Sequence, residues 1–304
     1  MENKQRILFI GLSCVGDAVM TTPVLQALHQ AYPEACIDIV ADSRSSDIFQ
    51  HCPYRGKFYY KDKARFLRGA PWLLKELWKT RYDIIVDLRT DGLTLLMRGR
   101  EKFTKRKAAS YGPHAIEGFM GVIKTIHKDS AIPSTTTWLN EELLAAADAA
   151  LNKTGAGRVL AMAPGCGGNN PRKFWPTENY AALANRLAGE FNSVVLLGSA
   201  EDSALTGQIA DQLNLPALDV AGKTGLLEAA ALLQKSGMFV GSDSGLGHVA
   251  GSVGTPTLTF FSVDQPSRCL PWGPAAHYLE GKDGDARNIP VDSAEQSIRA
   301  VLNS

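Results

Sequence analysis

Two α/β domains of Rossmann type, with parallel sheets facing each other across a central cleft, are the architecture expected of this chain. Short apolar strands alternate with helical stretches along the whole length. Each half opens with strand, glycine-rich loop and helix, and 304 residues suffice for two domains that each bury a core. Strands are expected at residues 7–10, 36–40, 84–86, 159–162, 194–197, 238–240 and 257–261.

The first strand runs into Gly11-Leu12-Ser13-Cys14-Val15-Gly16-Asp17-Ala18-Val19-Met20-Thr21-Thr22-Pro23, with a helix expected over 24–32. This is no dinucleotide fingerprint, because Ser13 stands where Gly-x-Gly-x-x-Gly needs its second glycine, and it lacks the Gly-Lys-Ser/Thr of a P-loop. It presents instead a carboxylate, Asp17, at the carboxyl end of the first strand, where open α/β sheets bind their ligands.

Charge is uneven over the next hundred residues. Residues 55–107 carry 16 Lys and Arg against 6 Asp and Glu, although the whole chain has a net charge of only +1. Lys57, Lys61, Lys63, Arg65 and Arg68 form one cluster, and Arg98, Arg100, Lys102, Lys105, Arg106 and Lys107 a second. One such cluster is ordinarily a solvated face; two in one domain argue for an anionic partner. Nucleic acid is not expected, since no recognised module is present and aromatics do not interleave with the basic residues. Between the clusters, Trp72, Leu73, Leu74, Leu77 and Trp78 lie at helical spacing and read as core, with membrane contact as the alternative. A connection begins at 130–137 and a helix is expected over 138–150. The boundary is placed at about residue 154, giving domains 1–154 and 155–304, with the last helix a candidate to pack back onto the first domain.

In the second half, strand 159–162 enters Ala163-Pro164-Gly165-Cys166-Gly167-Gly168-Asn169-Asn170-Pro171-Arg172-Lys173-Phe174-Trp175-Pro176, followed by a helix over 177–190. The glycines permit close backbone approach, and the Lys173 ammonium can neutralise a departing diphosphate. A solvated surface lysine is the competing reading. Strand 238–240 then leads through Gly241-Ser242-Asp243-Ser244-Gly245 into a small-residue helix over 246–253, whose open N–H groups suit a phosphate. Asp243 can orient sugar hydroxyls there, or Asp243 or Ser244 can simply cap the helix.

Composition sets outer limits. A hydrophobic fraction of 45% with 21% charged residues is that of a globular protein, and no apolar run reaches membrane-span length. The apolar stretch after the N-terminus is too short for a signal peptide, so a cytoplasmic location is expected. Cys14, Cys36, Cys52, Cys166 and Cys269 are scattered without metal or disulfide spacing, and no histidine pair has i, i+4 spacing.

With all three loops in view, the chain resembles the bacterial ADP-heptose lipopolysaccharide heptosyltransferases and their relatives in glycosyltransferase family 9, of the GT-B fold. The matching pieces are Gly16, Asp17, Thr22 and Pro23; Lys173-Phe174-Trp175-Pro176; Leu197-Gly198 with Glu201-Asp202; Ala221-Gly222-Lys223-Thr224; and Asp243-Ser244-Gly245 with His248. The resemblance runs from Arg6 to Thr257 and implies inverting, metal-independent transfer from a nucleotide sugar, without a cofactor. The acceptor would sit on the first domain and the nucleotide on the second.

Carried over by position, Asp17 resembles the general base and Lys173 the diphosphate partner. Gly16, Asn169, Asp243, Ser244, Gly245, Leu246 and His248 are then donor-binding candidates, with Glu201 or Asp202 accepting ribose hydroxyls. Lys57, Lys61, Lys63, Arg98 and Arg100 are acceptor-binding candidates. ADP-heptose is the expected donor and an anionic lipopolysaccharide-type molecule the expected acceptor, presented at the inner face of the cytoplasmic membrane with peripheral contact there. The loop at 165–170 is richer in glycine than expected of such enzymes, which leaves another sugar donor open. An epimerase and a non-catalytic nucleotide-sugar binder are the other readings. One well-placed carboxylate rather than a set speaks against the first, and the presence of both Asp17 and Lys173 against the second.

Overall fold

The structure is a computed structural model that describes residues 5–61, 66–89, 92–105, 108, 110–128, 131–155, 157–168 and 170–303, with the side chains of 66–70 left aside. It divides into two compact units, one ending at Trp138 and one beginning at Leu139. The first unit contains β1 (Arg6–Ile10), α1 (Val15–Ala31), β2 (Cys36–Ala41), β3 (Arg55–Tyr60), α2 (Phe66–Leu77), β4 (Tyr82–Asp87), α3 (Leu93–Leu96), β5 (Gly99–Thr104) and α4 (Ala115–Met120). Its sheet is parallel, in the order β3-β2-β1-β4-β5.

The second unit contains α5 (Glu141–Leu151), β6 (Val159–Ala163), α6 (Thr177–Arg186), β7 (Ser193–Leu196), α7 (Ser203–Ala210), β8 (Ala217–Asp219), α8 (Leu226–Gln234) and β9 (Met238–Ser242). It continues with α9 (Gly245–Ser252), β10 (Thr257–Phe261), α10 (Pro266–Cys269), β11 (Ala276–Glu280) and α11 (Val291–Leu302). Its parallel sheet runs β11-β10-β9-β6-β7-β8.

The seven expected strands are all present, as the inner strands of the two sheets. The four that the apolar pattern does not reveal are β3, β5, β8 and β11, the edges. An inner parallel strand is covered on both faces and reads as an apolar run, whereas an edge strand keeps polar side chains that discourage pairing with other chains. Lys57 on β3 and Arg100 and Lys102 on β5 are such residues, so part of each basic cluster belongs to a sheet edge.

Two boundaries differ from expectation. The units part at 138/139 rather than near 154, because α5 packs on α8, burying Ala147 and Leu151, and Asp148 pairs with Lys235 at 2.7 Å. Helix α11 packs on α6, β10 and β11 of its own unit. The first helix starts at Val15, nine residues before the expected position, and carries Pro23 inside it. Proline lacks the N–H that would bond the carbonyl of Val19, and Thr22 Oγ1 donates to that same carbonyl at 2.7 Å. The lost bond is replaced, and the helix reaches back to take in Gly16 and Asp17.

The first core is built from Leu8, Ile10, Val40, Leu73, Leu77, Tyr82 and Ile85, so Leu73 and Leu77 of the helical stripe are core while Trp72 and Trp78 are exposed. The second core centres on Trp175, which is 1% exposed and packs on Phe260 at 4.4 Å and Tyr180 at 4.8 Å between ring centres. Its indole N–H donates to the Ile289 carbonyl at 2.9 Å. Trp175→Ala is expected to cost about 3–5 kcal/mol, and Trp175→Phe about 1–3 kcal/mol for the orphaned carbonyl, measured by denaturant unfolding. Equal losses in the two variants would contradict the packing argument. Among the described residues no helix is long and apolar enough to cross a membrane.

Candidate functional site

In the first unit the informative end of the sheet is the carboxyl pole. Asp17 lies there, partly buried, in the first turn of α1, where the helix dipole favours a negative charge; Gly16 beside it is buried. The next two strands deliver acids to the same pole. Asp42 follows β2 and is buried, accepting from the Arg44 backbone at 3.2 Å and Nε at 2.9 Å, with Arg89 Nη2 3.8 Å away. Burial opposes ionisation of Asp42, but the hydrogen bonds from Arg44 and the charges of Arg44 and Arg89 prevail and hold its carboxyl below the usual range. Asp87, the last residue of β4, accepts the Arg89 backbone N–H at 2.9 Å and the Thr94 hydroxyl. Arg89 in turn donates to Ser13 Oγ, in the loop that leads to Asp17.

Asp42, Arg44 and Arg89 were not singled out from sequence. The available signal was position: each falls within three residues after an inner strand, where α/β sheets gather functional groups. Of the basic acceptor candidates, Lys61 is buried at the end of β3, its backbone N–H donating to the Ala41 carbonyl at 2.9 Å, and so shares the pole of Asp17. Lys57 is exposed midway along β3, and Lys63 lies outside the described residues, as do Arg65, Arg106 and Lys107. Arg98 and Arg100 flank Gly99, whose partner in register is Tyr82 at the start of β4. They therefore stand at the amino pole, roughly 15–20 Å along the strands from the pole of Asp17.

The second unit collects its candidates at its own carboxyl pole. The loop after β6 uses Gly167 (φ 64°) and Gly168 (φ 95°) to turn, in a left-handed region costly for other residues. Pro171–Lys173 then form a single 3₁₀ turn capped by Asn170, whose Oδ1 accepts the Arg172 N–H at 3.1 Å. Buried Trp175 anchors the far side of this turn, which fixes where Lys173 emerges. The Lys173 ammonium meets Asp243, after β9, at 3.4 Å and also pairs with Asp264, after β10. Asp264 was not singled out either; it lies past an apolar strand with no motif around it.

These three groups share charge. Burial disfavours the Lys173 ammonium, but the hydrogen bond it donates to Asp264 and the charges of the two carboxylates outweigh it and raise its pKa. Burial pushes the Asp243 carboxyl up to about 6 against the attraction of Lys173, and the neighbouring Asp264 pushes in the same direction. Asp264 is held below the ordinary carboxylate range, first by its hydrogen bond with Lys173. Cys166 and Cys269 border the group, and burial raises both thiols.

Ser244 is the N-cap of α9 in extended conformation, and its side chain makes no capping bond. Its Oγ is buried with no hydrogen-bond partner among the described residues. Gly245 and Leu246 open the helix, partly exposed, while His248 is buried one turn in. This is a helix N-terminus with its hydroxyl and first N–H groups available to an anion, next to a lysine.

Glu201 and Asp202 separate in role. Asp202 accepts from Ser199 N at 2.8 Å and Ser199 Oγ at 2.7 Å, capping its own 3₁₀ turn (Ala200–Asp202), and a Cβ on Gly165 would come within 2.1 Å of its Oδ1, so that turn packs closely on the glycine loop. Glu201 is exposed. The Ala221-Gly222-Lys223-Thr224 turn lies against the same segment. Gly222 (φ 69°) leaves no room for a Cβ, which would fall 2.7 Å from Ala200 Cα. Asn169 lies outside the described residues.

Comparison with known proteins identifies the family and the fold. The model of glycosyltransferase family 9 (heptosyltransferase) matches residues 97–296. Lipopolysaccharide heptosyltransferase 2 of Salmonella typhimurium is 27% identical over 98% of this chain and 94% of its own length. Among solved structures, E. coli ADP-heptose LPS heptosyltransferase II superposes with a TM-score of 0.83 at 22% identity, covering 98% of this chain and 99% of that one. An E. coli heptosyltransferase solved with ADP gives a TM-score of 0.81 at 18% identity, covering 98% of this chain and all of the other. The chain belongs to glycosyltransferase family 9, the heptosyltransferase family, and is a glycosyltransferase.

Proposed function

We propose that the protein transfers a heptose from ADP-heptose to an anionic acceptor of the lipopolysaccharide core, with inversion and without a metal ion, in the cytoplasm at the inner face of the membrane. The observation that carries the donor half is the α9 N-terminus, where the buried Ser244 hydroxyl, without a partner among the described residues, stands in the same cluster of loops as the Lys173 ammonium. A diphosphate supplies the acceptor atoms that this hydroxyl and the N–H groups of Gly245 and Leu246 lack, and Lys173 neutralises the charge that grows on it as the sugar departs. Asp243 is placed to take hydroxyls of the donor sugar, and Glu201 those of the ribose. Asp17 takes the proton of the attacking acceptor hydroxyl. The acid and base groups of the first pole, Asp42, Arg44, Arg89 and Lys61, suit a sugar acceptor bearing carboxylate or phosphate.

The names of the family relatives support heptose and adenine; the test is base preference. In a thermal-shift series with ADP, UDP and GDP, ADP at about a hundredfold over its Kd is expected to raise Tm by roughly 5–10 °C, with UDP and GDP giving little. A preference for UDP or GDP would overturn the ADP-heptose assignment.

A further inference from the structure

At the amino pole of the first unit, away from Asp17, lies a cavity of about 580 Å³ lined by Trp78, Arg81, Met97, Arg98, Arg100 and Lys102, together with Thr80 and Gly99. Its charge is of one sign: three arginines and a lysine line it, and no acidic residue among the described residues does. The acids nearby in sequence are engaged or lie off the wall. Glu76 pairs with Lys79 at 2.6 Å, Asp83 accepts the Arg6 N–H at 2.9 Å, and Glu101 alternates with Arg100 and Lys102 along the strand, toward its other face. Lys102 is fixed in place, its ammonium donating to the carbonyls of Met97 at 2.6 Å and Thr94 at 3.1 Å. Trp78, Arg81, Arg98, Arg100 and Lys102 are all exposed, and an open, basic pocket of this kind calls for an anion.

The rim is apolar where it should be wet. Trp78, Leu95 and Leu96 are 58%, 78% and 57% exposed, three of the seven large hydrophobic side chains so exposed among the described residues. They form one group, because Trp78 Nε1 donates to the Leu96 carbonyl at 2.9 Å and so holds the end of α2 against α3. An exposed tryptophan with adjoining leucines beside clustered arginines is the composition of a surface that lies in a bilayer interface, with the aromatic ring at headgroup depth and the cations among lipid phosphates.

We propose that this face docks on a bilayer of anionic phospholipid, the basic cavity receiving a headgroup phosphate while Trp78, Leu95 and Leu96 enter the interface. The proposal rests on the membrane contact contained in the proposed function and assigns it to particular residues. It also gives Arg98 and Arg100 a lipid phosphate as partner in place of the acceptor. Docking by this pole holds the pole of Asp17 roughly 15–20 Å above the lipid, a height suited to a sugar chain that projects from the membrane.

The test is co-sedimentation of the full chain with vesicles of phosphatidylcholine alone or with 30 mol% phosphatidylglycerol (roughly the anionic content that recruits basic patches). Each variant is checked by circular dichroism melting and by its rate on a delipidated, water-soluble acceptor. Wild type is expected to bind the anionic vesicles and not the neutral ones, more weakly as salt rises. Arg98→Glu with Arg100→Glu, and separately Leu95→Ser with Leu96→Ser, are each expected to lower partitioning by roughly tenfold or more. The leucine pair should keep its melting temperature and its rate on the soluble acceptor. Binding of wild type and both variants alike would overturn this surface while leaving membrane contact standing. No binding by wild type at all would overturn membrane contact itself, and activity on the soluble acceptor reports independently on the transferase reading.

Discussion

Asp17→Ala is expected to lower kcat by about 10²–10⁴-fold while leaving the dissociation constant of the donor nearly unchanged. The reason is the separation of tasks between poles. Asp17 belongs to the first turn of α1 in the first unit, whereas the groups suited to the diphosphate, Lys173 and the α9 N-terminus, belong to the second. A base touches the reaction only when the acceptor hydroxyl loses its proton, so its removal affects the transition state and not donor binding. Asp17→Asn keeps the shape and one acceptor oxygen but not the basicity, and should be as inactive as Asp17→Ala. Single-turnover rates together with calorimetric donor affinity make the check. An asparagine variant within tenfold of wild type would show that positioning, not proton transfer, is the contribution of Asp17. The helix-dipole part of the stability lost with the carboxylate is about 0.3–1 kcal/mol, and a circular dichroism melt of each variant separates unfolding from the kinetic effect.

How far the site could be read from sequence depended on whether a residue's role is local. Lys173, Ser244 and Asp17 each sit where a strand turns into a helix, and the strand, glycine and helix signals surrounding them are short-range. The inner strands were legible for the same reason, since burial on both faces leaves an uninterrupted apolar run. What could not be read depends on distant pairing. Asp264 becomes part of the cluster only because β10 lies next to β9, which brings the residue after one strand beside Asp243 after the other. Arg89 gains meaning only because β4 pairs with β1 and so sets it against Ser13. Charge density was legible and its location was not. Among the described residues, Lys61 stands at the carboxyl pole, Lys57 on a sheet edge, and Arg81, Arg98, Arg100 and Lys102 at the amino-pole cavity, settings that composition cannot separate. The start of α1 was missed because Pro23 is a strong stop signal taken alone, and the hydroxyl of Thr22 cancels it.

Lys173→Ala is expected to reduce kcat by about 10²–10³-fold and to weaken donor binding as well, with a steeper pH dependence than that of wild type. In the structure the Lys173 side chain is 19% exposed and its ammonium stands between Asp243, 15% exposed, and Asp264. Without it, a diphosphate must approach two carboxylates with no ammonium between them, and Arg268 acts only from the side of Asp264. Asp243 already titrates near 6 through burial, with Lys173 pulling the other way, so deleting the lysine moves that carboxyl higher still. The sign follows directly. Above this value Asp243 is ionised and repels the donor, and below it the group takes a proton and the repulsion falls. The affinity deficit of Lys173→Ala relative to wild type should therefore be larger at pH 8 than at pH 6, measured by calorimetry with ADP. Lys173→Arg restores the charge but not the compact ammonium and should recover binding more than rate. Adding Asp264→Asn to Lys173→Ala removes one of the two opposing carboxylates and should regain part of the lost affinity at pH 8. A deficit that is the same at both pH values, and unmoved by Asp264→Asn, would mean that the donor diphosphate does not enter the space between these three side chains.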